Sequence, residues 1–175
     1  MTLPQAWMRQ AESDYRAAQR VDISYDARTR GQAISKYQQC VEKSVKGVLD
    51  KLHASRITHA HSDRRHHVAR YAAVFANIPR TGQAGDLLDQ LGRLFTDRIV
   101  EQISLLDSLV PEYPDAGQLA ARNHEYPFQK SFADWRAPSD DDAFTAGELK
   151  RIRSCAGSLI LGLRRILDAL ELLFP

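Results

Sequence analysis

The sequence predicts an all-α fold, and two observations carry that expectation. Apolar residues recur at three- and four-residue steps over several long stretches, and no stretch shows a strand pattern above noise. Composition agrees, because Leu, Ala, Gln, Arg and Asp are frequent while aromatics make up only 8% of the chain. At 175 residues the chain has the size of one domain, read here as a single unit over 1–175, and can bury a core without disulfides or a metal.

The first helix is expected over residues 4–21. Pro4 suits a first turn, and Ala6, Met8, Ala11, Tyr15 and Ala18 form its apolar stripe. The second is expected over 29–54, with Ile34, Tyr37, Val41, Val45, Val48, Leu49 and Leu52 in helical register. Gly47 inside it marks close approach of a neighbouring helix. A third is expected over 62–76, capped by Ser62 or Asp63, and a fourth over 86–109, rich in Leu and Ile.

An irregular stretch follows over 110–138, with four prolines and five aromatic residues, and is expected to pack across the bundle. The last helix is expected over 145–174. Thr145 and Glu148 stand at capping-box spacing, and Asp140, Asp141 and Asp142 place negative charge before its N-terminus. Its second half is strongly apolar, which suits either the centre of a bundle or a partner subunit.

Charge and motifs narrow the function classes. Lys plus Arg number 24 against 22 for Asp plus Glu, so net charge alone does not argue for nucleic acid. No apolar run can span a bilayer, and the N-terminus lacks a signal-peptide pattern, so a cytoplasmic protein is expected. Cys40 and Cys155 lie in apolar-periodic stretches and read as buried thiols. His59, His61, Arg64, Arg65, His66, His67 and Arg70 form a basic cluster. It reads first as a solvated helix start, second as a phosphate contact, and only distantly as a metal site. Glu42 and Lys46 have the favourable i,i+4 order for a surface pair.

Several motifs in order resemble the HEPN family. They are Ala6, Ala11, Asp14, Tyr15 and Ala18 in the first helix; Tyr37-Gln38-Gln39-Cys40-Val41-Glu42-Lys43 with Lys46-Gly47 in the second; His66-His67-Val68 with Tyr71; and Ala121-Arg122-Asn123-His124-Glu125-Tyr126-Pro127-Phe128. The resemblance implies an antiparallel four-helix bundle with an additional helix and a homodimer. It also implies action on, or binding of, RNA or a nucleotide.

Catalytic members of the family cleave RNA without metal or cofactor, using Arg and His with four to six residues between them. The chemistry needs His to move a proton and Arg to stabilise charge on one phosphate. Here the corresponding residues are Arg122, His124 and Tyr126, with Arg122 and His124 only two apart. Arg56 and His61 have the family spacing but stand between the second and third helices, where a solvated turn is the better reading. The candidate contacts to RNA or a nucleotide are Gln39 and Lys43 of the second helix and Arg65, His66 and His67 of the basic cluster. Three functions follow as expectations: an endoribonuclease of toxin or defence type, a noncatalytic module pairing with a protein such as a nucleotidyltransferase, or a purely structural dimer.

Overall fold

The computed structural model describes residues 1–23, 26–51, 89, 101–102, 128–131, 134–140 and 143–173. Its architecture is all-α. The described elements run α1 (Leu3–Asp22), a 3-10 turn η1 (Ala27–Thr29), α2 (Arg30–Lys51), strands β1 (Phe128–Ser131) and β2 (Asp134–Arg136), and α3 (Ala146–Leu173). The expected helices over 4–21, 29–54 and 145–174 thus correspond to α1, α2 and α3. Asp89, Glu101 and Gln102, inside the expected fourth helix, are helical, and the expected third helix lies outside the described residues.

Helices α1 and α3 begin where local chemistry satisfies free N–H groups. At α1 the Thr2 Oγ1 accepts from Gln5 N at 3.4 Å while Gln5 Oε1 accepts from Thr2 N at 2.9 Å. The same reciprocal box opens α3. Thr145 N donates to Glu148 Oε2 at 2.8 Å and Glu148 N donates to Thr145 Oγ1 at 3.1 Å. Asp140 serves the preceding turn instead, accepting from Ala137 N at 2.9 Å. Asp141 and Asp142 lie outside the described residues.

The core joins the three helices. Met8, Ala11 and Ala18 of α1, Ile34, Tyr37, Val41, Val45, Val48 and Leu49 of α2, and Ile152, Leu159, Leu163, Ile166, Leu167 and Leu170 of α3 are all buried. Burying each large side chain contributes about 1.5–3 kcal/mol. Phe144, 1% exposed, plugs the end of this core before α3, and its carbonyl accepts from Arg30 Nη1 at 2.9 Å. Cys40 and Cys155 are both buried free thiols, and Cys155 Sγ donates to the Gln102 carbonyl at 3.1 Å.

One local element differs from the sequence reading. Within the stretch expected to be irregular, β1 and β2 pair antiparallel, Phe128 opposite Arg136 and Gln129 opposite Trp135, with an irregularity between Gln129 and Ser131. The strands are too short for alternation to register, and the bulge breaks their period of two.

Gly47 marks the crossing of α1 and α2. A methyl group there would stand 3.0 Å from the Pro4 carbonyl oxygen and 3.3 Å from Trp7 Cβ. Ala is the better helix former by about 1 kcal/mol, but overpacking against a backbone atom costs about 1–3 kcal/mol. Gly47→Ala is therefore expected to lower stability by about 1 kcal/mol in chemical denaturation. An increase would mean that the crossing is loose.

Candidate functional site

Helix propensity and apolar spacing bring α1 and α2 together; their polar residues then decide what the seam can do. Asp14 projects from the buried stripe of α1 and its side chain is only 7% exposed. Two lysines of α2 meet it. Lys43 Nζ donates to Asp14 Oδ2, and Lys36 Nζ lies 3.6 Å from Asp14 Oδ1. A carboxylate this buried requires such partners. With both ammonium groups the cluster carries one net positive charge.

Lys36 also donates to Gln39 Oε1 at 3.0 Å, and Gln39 Nε2 donates to Ser35 Oγ at 3.5 Å. An ammonium has three donors, so the half-exposed Lys36 retains one N–H beyond Asp14 and Gln39. These residues line a groove of about 560 Å³ with Arg28, Gln32, Ala17, Val21, Pro138 and Ser139. Arg28 stands at its rim, forked onto Asp26 with Nε–Oδ1 at 3.1 Å and Nη2–Oδ2 at 3.2 Å. The hydrogen bonds from the Arg28 side chain and backbone hold the Asp26 carboxyl below its ordinary range.

The opposite flank of α1 faces α3 across a groove of about 770 Å³, lined by Tyr15, Gln19, Asp22, Lys150, Arg153 and Ser154 among others. Asp22 Oδ2 is its anchor. It accepts from Tyr37 Oη at 3.0 Å and from Arg153 Nη1 at 2.9 Å, so one carboxylate ties all three helices together. The Tyr15 and Tyr37 rings meet edge to face with centroids 5.6 Å apart. Gly157 leaves room for the Tyr15 hydroxyl, which would lie 2.7 Å from a methyl group at that position.

A third polar contact lies beside Gly47. Lys46 pairs with Glu42 in the expected i,i+4 order and sits 5.5 Å from the centre of the Trp7 ring. Both charged side chains are largely buried, at 8% and 13% exposed, so the pair belongs to the helix crossing rather than to a solvated face.

Of the residues singled out in the sequence, Gln39 lines the α1–α2 groove, and Lys43 is turned onto Asp14. Gln38, its neighbour, is buried at 5% exposure. Arg65, His66, His67, Arg122, His124 and Tyr126 lie outside the described residues. No group of three or more His, Cys, Asp or Glu suited to a metal ion occurs among the described residues. Lys36, Arg28 and Arg153 were not foreseen. Asp14 carried a usable signal, because it falls three residues after Ala11 and four before Ala18, on the stripe that had to be buried.

Residues 4–119, about two-thirds of the chain, match the family model of the HEPN domain. The chain belongs to the HEPN domain family. No curated protein and no solved structure matches it. HEPN membership supports a nucleotide- or RNA-related role in general terms. The HEPN match contains both polar helices of the α1–α2 groove and ends before Arg122. No described helix is long and apolar enough to cross a membrane.

Burial raises the Tyr37 hydroxyl above the ordinary value of 10.0, and the neighbouring Asp22 carboxylate pushes it further up. Burial likewise raises Cys40 above its ordinary 9.0, with Asp14 adding to the effect. Raised folded-state values mean that the folded state holds these protons more tightly. The associated stability is present below the ordinary values and is lost as pH rises past them. Stability should therefore decline above about pH 9–10. Tyr37→Phe should make that decline shallower, by up to about 1.4 kcal/mol per pH unit where the tyrosine titrates in the unfolded chain alone. Urea denaturation across that range checks it; an unchanged slope would contradict the assignment.

Proposed function

We propose that this HEPN-domain protein binds RNA or a nucleotide through the α1–α2 groove, with phosphate contacts from Lys36 and Arg28 and hydrogen bonds from the Gln39 amide. The observation that carries this reading is the Lys36–Gln39–Ser35 chain, built on the net-positive Asp14 cluster and opening into the groove. Cations held in place by second contacts neutralise phosphate at less entropic cost than free surface lysines. Amide groups then contact sugar or base edges. Arg65, His66 and His67 would supply further phosphate contacts in this proposal.

Chemistry on the bound RNA would follow from Arg122, His124 and Tyr126. His124 would take the proton of the 2′-hydroxyl as it attacks the adjacent phosphorus, the bond from phosphorus to the 5′-oxygen of the next nucleotide would break to leave a 2′,3′-cyclic phosphate and a 5′-hydroxyl that takes its proton from water, and Arg122 would stabilise the charge that develops on phosphate. Tyr126 would position the phosphate. The reaction needs no metal, so it would continue in the presence of a chelator.

A second reading is a noncatalytic HEPN module that pairs with a nucleotidyltransferase-type protein. The two-residue separation of Arg122 and His124, together with a family match that ends at 119, favours it. Binding and cleavage separate the two. With a fluorescent single-stranded RNA of mixed sequence, wild type is expected to bind in a salt-dependent manner. The double change Lys36→Ala and Gln39→Ala should weaken binding about tenfold. Cleavage with chelator present, lost in Arg122→Ala and His124→Ala, would establish the nuclease; binding without cleavage would support the module. Absence of binding to RNA and to free nucleotides would overturn the groove assignment.

A further inference from the structure

One stripe of α3 forms a wall of the α1–α3 groove. Lys150, Arg153, Ser154, Gly157, Ser158 and Leu161 follow one another at helical spacing along it. A helix stripe that faces another helix ordinarily closes on it by apolar packing. This one is mostly polar, and the groove stays open over about 770 Å³, within the range of small-molecule sites. Of the five large apolar side chains left exposed among the described residues, two line this groove, Ile23 at 65% and Leu161 at 55%. An occupant with an apolar body would cover them.

Charge is gathered at one end of the wall. Lys150 and Arg153 stand about one turn apart there, beside Asp22. Arg153 donates through Nη1 to Asp22 Oδ2 at 2.9 Å, which leaves the edge formed by Nε and Nη2 for a second acceptor. That edge matches the two oxygens of a carboxylate. Lys150 is exposed and pairs with no carboxylate among the described residues. Two cations against Asp22 leave one positive charge, which balances a monoanion and undermatches a polyphosphate. Leu161 lies eight residues beyond Arg153, about 12 Å along the helix. Between them Gly157 carries no side chain, and the Tyr15 hydroxyl, hydrogen-bonded to Gln19, reaches into the space that a methyl group would fill.

We propose that the α1–α3 groove binds an amphipathic organic carboxylate. Arg153 forks onto the carboxylate with Lys150 beside it, and the apolar body lies past Gly157 toward Leu161. Ser154 and Ser158 offer hydroxyls along the way. The site is separate from the α1–α2 groove, and the proposal is independent of the RNA reading.

Decanoate, whose extended chain is about as long as the span from Arg153 to Leu161, is the probe. Amide chemical shifts of the full chain are expected to move at Gln19, Ser154, Gly157 and Ser158 as decanoate is added, with a Kd on the order of 0.1–1 mM. Affinity should rise about twofold per methylene from hexanoate to decanoate, as half-burial in an open groove requires. Decylammonium, with the same chain and the opposite charge, should leave these resonances in place. Lys150→Glu should weaken decanoate about tenfold. Leu161→Ser should remove the gain in affinity between octanoate and decanoate. Both changes are at exposed sites and should keep the wild-type thermal melt. Lys36→Ala with Gln39→Ala should leave decanoate binding as it is. No shift at up to about 10 mM, equal binding of decylammonium, wild-type affinity in Lys150→Glu, or wild-type chain-length dependence in Leu161→Ser would each overturn the proposal. Tighter binding of inorganic pyrophosphate at the same resonances would overturn it as well, by giving the groove to a phosphate.

Discussion

The structure depends on one buried charge. Asp14 stands on the face of α1 that must meet α2, so the two helices can close only if its carboxylate is neutralised. Lys43 and Lys36 do that from separate turns of α2. Apolar surfaces can slide past one another at little cost. A buried carboxylate with two lysines cannot, because any other register leaves it unpaired. Gly47 completes the constraint by permitting the backbone of α2 to approach Pro4 and Trp7. The ion pair therefore sets register while the glycine sets distance.

The two polar grooves follow from that registration. Because Asp14 fixes α1 on α2, Lys36 and Gln39 are held along one flank of α1, and Tyr15, Gln19 and Asp22 are turned to the other. Asp22 then recruits Tyr37 from α2 and Arg153 from α3, which joins the third helix to the pair. The core supplies most of the stabilising energy through burial. The carboxylates determine which of many similar packings is adopted. In this account the candidate ligand groove is a by-product of the same contact that selects the fold.

Much of the fold was legible in the sequence, for a physical reason. Amphipathic periodicity reports the core face of a helix directly, so the stripes of α1, α2 and α3, the Gly47 approach and the Thr145–Glu148 cap could all be read from one chain. What could not be read was which polar residues meet across helices. Asp14 to Lys43 spans 29 positions and Asp22 to Arg153 spans 131, and neither separation leaves a local trace. Lys43 illustrates the difference. As a motif residue it suggested ligand contact, yet its ammonium is held by Asp14. The strands at 128–136 escaped notice because a bulged pair of three or four residues has no measurable alternation. Among the residues that line the α1–α2 groove, Gln39 had been singled out in the second-helix motif, whereas Lys36 entered only through geometry.

The central claim is that Asp14 and Lys43 act as one unit in registering α1 on α2, and a double-mutant cycle measures that most directly. Asp14→Asn and Lys43→Met keep side-chain volume while removing each charge. Each single change is expected to cost roughly 2–4 kcal/mol in urea denaturation, since it deprives the other group of its nearest partner and leaves Asp14, in the lysine variant, with Lys36 alone. The double change should cost less than the sum by about 1–3 kcal/mol. Additive losses, with coupling below about 0.3 kcal/mol, would show that the two groups are energetically independent and that the helix register is set by apolar packing alone.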